Sequence, residues 1–118
     1  WQRLAKTAAQ QCGRTIVPVV APIATWDELL ATFAAYDRVY MPWELADVRP
    51  LREIFDADAP RIASALFLIG PEGGFSAHEV ERAVAAGAIP VSLGARILRT
   101  ETVALVVLAA FAYARGDV

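Results

Sequence analysis

The sequence predicts an α/β fold, a parallel sheet covered by helices on both faces. Three observations carry that expectation. Short β-branched runs alternate with capped helical stretches along the chain, the order that builds parallel strands through helical crossovers. Ile62 to Ile69 is apolar almost throughout, as in a central strand buried on both faces. That run stops at Gly70 and gives way to Pro71-Glu72-Gly73-Gly74 before a helix begins near Ser76. Open α/β sheets bind ligands at such junctions, beyond the carboxyl ends of their strands.

Trp1, Leu4, Ala5, Ala8, Ala9 and Cys12 recur at helical spacing and form one apolar face, closed by Gly13. The other face carries Gln2, Arg3, Lys6 and Gln10, with Arg14 just beyond. It reads either as a solvated helix surface or as a contact for RNA phosphates. Thr15 to Val20 is β-branched and reads as a short strand closed by Pro22. Thr25-Trp26-Asp27-Glu28 is a capping box, and Trp26, Leu29, Leu30, Phe33 and Ala34 make the buried stripe of the helix it opens. Arg38 to Met41 is a second strand ending at Pro42, and Asp47 to Phe55 a weaker helix with Pro50 in its first turn. Asp56 to Pro60 is a loop. Ser76-Ala77-His78-Glu79 is a second capping box for a helix reaching Gly87. Pro90 to Leu93 is the last strand, stopped by Gly94. From Thr100 a nearly all-apolar helix runs to Arg115 and Gly116, which implies burial in a core or a subunit interface.

The chain of 118 residues is one domain, with 57 % apolar residues and a net charge of −2. No global basic field marks it as a nucleic-acid binder, although basic residues can cluster locally. One cysteine, Cys12, excludes an internal disulfide and a cysteine metal cluster, and one histidine, His78, excludes a multi-histidine site. A metal-free, cytoplasmic protein is expected. The longest apolar run, Val103 to Ala114, is shorter than the roughly 20 residues of a membrane span. The chain opens on Trp1 inside a helix, so a domain excised from a longer protein is expected.

Two stretches carry chemistry. In Gly70 to Gly74, glycine admits positive φ and lets a ligand approach the main chain. Its spacing is not G-x-G-x-x-G, and it lacks the Lys-Ser/Thr pair of a phosphate-binding loop, which disfavours a nucleotide-triphosphate site. On its own it reads equally as a tight turn. Leu93-Gly94-Ala95-Arg96-Ile97-Leu98-Arg99-Thr100-Glu101-Thr102 also joins a strand to a helix, so both loops leave a parallel sheet at the same edge. Thr100 is placed to cap the last helix. Arg96 and Arg99 read either as functional cations or as surface partners of Glu101 or Glu72.

Together, L-I-G-P-E-G-G-F-S and S-L-G-x-R-I-L-R-T-E-T resemble the ribosomal RNA small-subunit uridine-N3 methyltransferases of the SPOUT superfamily. The opening W-Q-R-L-A-K-T-A-A-Q-Q-C-G-R is similar to the first helix of that family's catalytic domain. The resemblance covers the whole chain and is weakest from Tyr40 to Pro60. It implies a deep C-terminal trefoil knot, which general topology rules would not suggest. It implies S-adenosyl-L-methionine held by Leu68, Ile69, Gly70, Glu72, Gly73 and Gly74 on one wall. Leu93, Gly94, Ile97, Leu98, Arg99 and Thr100 form the other, with Tyr40-Met41-Pro42 under the adenine. It implies a homodimer acting on 16S ribosomal RNA in the small subunit, and an N-terminal PUA-like RNA-binding domain that is absent from residues 1–118.

Methylation at uridine N3 requires loss of the N3 proton as the methyl arrives. Arg99 is expected to stabilise charge on the uracil carbonyl oxygens, and Glu101 or Glu72 to accept the proton or orient Arg99. His78, the one side chain that ordinarily titrates near neutrality, reads mainly as a surface residue in the first turn of its helix. Another RNA target, such as a tRNA or rRNA ribose, and a non-catalytic ribosome-assembly module remain as alternatives.

Overall fold

The computed structural model describes residues 1–44 and 47–118. Five helices and three strands follow one another as α1 (Gln2–Gln11), α2 (Trp26–Ala31), β1 (Arg38–Pro42), α3 (Leu51–Asp58), β2 (Ala65–Phe67), α4 (Ala77–Ala85), β3 (Ala88–Val91) and α5 (Thr100–Arg115). A 3-10 turn, Phe33–Ala35, extends α2. The strands are parallel in the order β2-β1-β3.

Period-two alternation divides the core between the two faces of the sheet. Val39 and Met41 point to one face, where they pack with Leu68, Val80, Ala83 and Phe33, so α2 and α4 cover that side. Tyr40 points to the other, where it packs with Ile54, Phe55, Val91 and Val107 beneath α3 and α5. Tyr40, Phe55, Phe67 and Phe111 form a cluster of stacked and edge-on rings there, with centroids 5.2 to 6.1 Å apart. The Tyr40 hydroxyl donates to Asp58 Oδ2 at 3.2 Å, and Arg38 Nε reaches the same oxygen at 3.1 Å. Burial first, and then the Asp58 charge, hold that hydroxyl above its ordinary titration range.

Both capping boxes form as their sequences predict. Thr25 Oγ1 accepts from Glu28 N–H at 3.3 Å while Glu28 Oε2 accepts from Thr25 N–H at 2.7 Å. Ser76 and Glu79 make the same reciprocal pair at 3.1 and 2.8 Å. At the end of α5, Gly116 takes φ +78° and the Asp117 N–H bonds to the Ala112 carbonyl, a Schellman closure.

Five expectations are corrected. Asp56, Ala57 and Asp58 belong to the last turn of α3 and not to a loop. Residues 15–20 form no strand; Pro18 and Pro22 interrupt the segment, and the Gln2 side chain holds it against α1. The stretch from Ile62 to Ile69 is a strand only over Ala65–Phe67, with one further bond from Leu68 N–H to the Tyr40 carbonyl, and lies at the sheet edge, while β1 is central. Its continuous apolar character arises because helices cover both faces, not because strands flank it. Asp47 to Pro50 is not helical, since the Arg49 carbonyl and Leu51 N–H pair with the Ser92 backbone. Finally, Arg99 is the N-cap of α5 and no side chain caps it, so Thr100 is the first helical residue instead.

Candidate active site

All three strands deliver their carboxyl ends to one cleft of about 840 Å³. Central β1 contributes Pro42, Trp43 and Glu44 at its end. The segment after β2 contributes Ile69, Gly70, Pro71, Glu72, Gly73, Gly74 and Phe75. The segment after β3 brings Ser92, Leu93, Gly94, Arg96, Ile97, Leu98, Arg99 and Thr100 opposite, with Val103 of α5 at the floor. Because the strands are parallel, neither loop could face the other from opposite edges.

Each wall has a local cause. Gly74 N–H bonds to the Pro71 carbonyl at 2.9 Å, closing a turn whose third residue, Gly73, has φ +89°. A side chain at that angle would be strained, so glycine is required there. Immediately after it, the Ser76 cap fixes where α4 begins. On the opposite wall, Ser92 is pinned through its backbone to Arg49 and Leu51, and its hydroxyl accepts from Gly94 N–H at 3.2 Å. Gly94 then turns the chain at φ +100°.

Gly73, Gly74 and Gly94 have no atom within 4 Å of where a Cβ would stand. Their main chain is therefore open to a ligand along both walls. Ile97 adds an apolar surface 83 % exposed to solvent. The cleft volume lies within the range of drug-sized ligand sites. An open peptide lining, apolar patches and both signs of charge suit a ligand with apolar and charged parts.

Of the residues singled out by sequence, Pro42, Ile69, Gly70, Glu72, Gly73, Gly74, Leu93, Gly94, Ile97, Leu98, Arg99 and Thr100 line the cleft. Three do not. Met41 and Leu68 are buried in the core beneath α2 and α4, because strand alternation turns their side chains away from the opening. Glu101 is exposed in the first turn of α5, outside the lining, where the helix dipole favours a carboxylate. His78 is also exposed and outside it.

Arg96, read from the sequence as a functional cation or a surface partner, lines the cleft too, as do Trp43, Glu44 and Phe75, which sequence patterning did not single out. The Met41-Pro42-Trp43-Glu44 run offered the signal for two of them: chain leaving a strand at a proline continues at the same sheet edge. Arg96 and Arg99 make no ion pair with Glu72 or Glu101 among the described residues, where the salt bridges are Arg38–Asp58, Arg82–Asp27 and Arg115–Asp117. Both guanidinium groups are thus free to meet a ligand. No cluster of three or more His, Cys, Asp or Glu residues able to hold a metal occurs among the described residues. Nor is any described helix long and apolar enough to cross a membrane.

Comparison with known proteins agrees with this geometry. Residues 1–112 match the model of the RNA methyltransferase domain family. The ribosomal RNA small subunit methyltransferase E of Bacillus subtilis is 36 % identical, over 99 % of this chain and 48 % of its own length. Its Mycobacterium bovis counterpart is 33 % identical over 93 % of this chain and 42 % of its own. The chain therefore spans about half the length of these relatives. Among solved structures, the Neisseria gonorrhoeae small subunit methyltransferase E, bound to S-adenosyl methionine, superposes with a TM-score of 0.82 at 35 % identity over 96 % of this chain and 46 % of that one. A Legionella pneumophila protein in complex with the same cofactor gives 0.85 at 31 % identity, over 97 % and 45 %. Cleft, fold and sequence agree: this chain belongs to the RNA methyltransferase domain family.

Proposed function

We propose that the protein transfers a methyl group from S-adenosyl-L-methionine to N3 of a specific uridine in 16S ribosomal RNA. The observation that carries this reading is that the Gly70–Gly74 and Leu93–Thr100 loops line one cleft from opposite sides. Neither loop alone specifies a ligand. The open backbone of Gly73, Gly74 and Gly94 cradles the cofactor, and Ile97 and Leu98 supply apolar contact.

When bound, the cofactor would supply a methyl group on a sulfonium, from which a neutral thioether departs readily. Catalysis by the chain then consists of positioning and of managing the N3 proton. Arg99 stabilises negative charge on the uracil carbonyl oxygens, as preorganised cations do for developing anions. Glu72, on the facing wall and not paired with Arg99 among the described residues, is the candidate to accept the proton. Glu101 lies outside the lining and is the weaker candidate for that role.

The wider reading includes a SPOUT-type trefoil knot in the C-terminal part, a homodimer, and action on the small subunit in the cytoplasm alongside a PUA-like RNA-binding domain. Support for the dimer comes from α5. Its inner stripe of Val103, Val107, Ala110, Phe111 and Ala114 packs on the sheet, yet Leu105 is 72 % exposed, and Leu108 and Tyr113 face solvent as well. An apolar surface of that kind favours a protein interface.

The test is methyl transfer from labelled cofactor into small-subunit ribosomal RNA, followed by mass mapping of the modified nucleoside. The reading requires 3-methyluridine at one position. A methyl on ribose would move the protein to another RNA target, and no incorporation would remove the enzymatic reading.

A further inference from the structure

Charge is distributed unevenly along the chain. Residues 1–26 contain Arg3, Lys6 and Arg14 and no carboxylate, a net of +3. Residues 27–118 hold the other eight basic residues against all thirteen acidic ones, a net of −5. The overall value of −2 therefore conceals a basic segment attached to an acidic body. All three cations are exposed, and none forms an ion pair among the described residues.

The structure gathers this charge on one rigid element. Arg3 and Lys6 are neighbours at i and i+3 on α1, and both are exposed. Arg14 N–H bonds back to the Ala9 carbonyl at 2.9 Å through the Gly13 turn, so Arg14 is held at the helix end. The Gln2 amide clamps α1 to the following segment, donating to the Pro18 carbonyl at 2.8 Å and accepting from Val20 N–H at 2.7 Å. Exposed cations on a segment whose backbone is already ordered cost little to bring against a polyanion.

We infer that α1 and the turn that follows it grip phosphates of the ribosomal RNA substrate, with Arg3, Lys6 and Arg14 as sequence-independent contacts. The inference rests on the RNA methyltransferase reading. An anionic membrane is the less favoured partner, because interfacial helices bury an extended row of bulky residues and the apolar face of α1 offers only Trp1 and Leu4 beside three alanines and Cys12. Such contacts act by charge and counterion release, so lysine can replace arginine at these positions.

The experiment titrates the intact protein with an in vitro transcript of small-subunit ribosomal RNA at several salt concentrations, for wild type, R3A/K6A/R14A and R3K/R14K. Cofactor binding and Tm are measured on each. The alanine variant should lower the slope of log affinity against log salt by about 2 to 3. Its KM for RNA should rise while kcat, Tm and cofactor affinity hold, and the lysine variant should behave as wild type. An unchanged slope and RNA affinity in a folded alanine variant overturns the inference and leaves the methyltransferase reading intact. Wild-type protein that fails to bind the transcript overturns both. Variant-sensitive binding to phosphatidylglycerol vesicles, with RNA affinity unaffected, overturns it in favour of a membrane.

Discussion

A Cβ on Gly70 would stand 3.1 Å from Phe75 Cδ2 and 3.4 Å from the Gly74 carbonyl carbon. Gly70 is not among the glycines with positive φ, so close approach rather than backbone angle requires it. The ring cannot retreat freely, because Trp26 packs against it at a centroid distance of 5.9 Å. Gly70→Ala should therefore cost about 1–3 kcal/mol, as overpacking does. Chemical denaturation checks this, and Phe75→Leu in the same chain should recover part of the loss, a coupling that independent sites would not show.

Gly73 and Gly94 present the opposite case. Each has positive φ and open space at the Cβ position, so alanine there meets no clash but a left-handed backbone penalty of about 1–2 kcal/mol. The expected result is a modest fall in stability whose size does not change when Phe75 is shortened.

Arg99→Ala should lower turnover by about 10²-fold or more, the usual cost of removing a preorganised charge-stabilising group. Because Arg99 is exposed and unpaired, stability should move by less than about 0.5 kcal/mol. Kinetics beside thermal unfolding separates the two, and normal methylation by this variant would remove Arg99 from the mechanism.

Much of this arrangement was legible in the sequence. The boxes at Thr25 and Ser76 announced their helices, and Gly13, Gly94 and Gly116 marked stops, because capping is local chemistry. The two loops were recognisable for the same reason. What escaped depends on neighbours distant in sequence. Thr15 to Val20 has strand-like composition but lies along α1 instead of pairing in the sheet. Asp47 to Pro50 reads as the first turn of a helix, but Ser92 claims the backbone on either side of Pro50. Met41 and Leu68 belong to motifs that read as ligand contacts, and only the pleat decides which face each side chain takes.

Acid sensitivity should trace in part to Asp37. Its Oδ2 accepts from Ala63 N–H at 2.8 Å and Ser64 N–H at 3.0 Å. Those bonds hold its carboxyl below the ordinary value of 3.8. With the folded pKa depressed, the contribution is fully present above that ordinary value and is lost as pH falls through the folded one. Asp37→Asn should flatten the acid limb of a stability profile. Superimposable limbs would contradict the assignment.

Leu108→Asp should convert a dimer to monomers with little change in secondary structure, since Leu108 faces solvent on α5. Sedimentation velocity reads the outcome. A wild-type protein that sediments as a monomer would remove α5 as an interface.

The most direct measurement is titration calorimetry of S-adenosyl-L-methionine into wild-type protein, Gly73→Val and Gly94→Val. Both positions offer open main chain on facing walls of the same cleft. The account predicts binding by wild type and loss of affinity by each variant, with both variants folded. Wild-type affinity in either folded variant would contradict a methyl-donor pocket built from both loops.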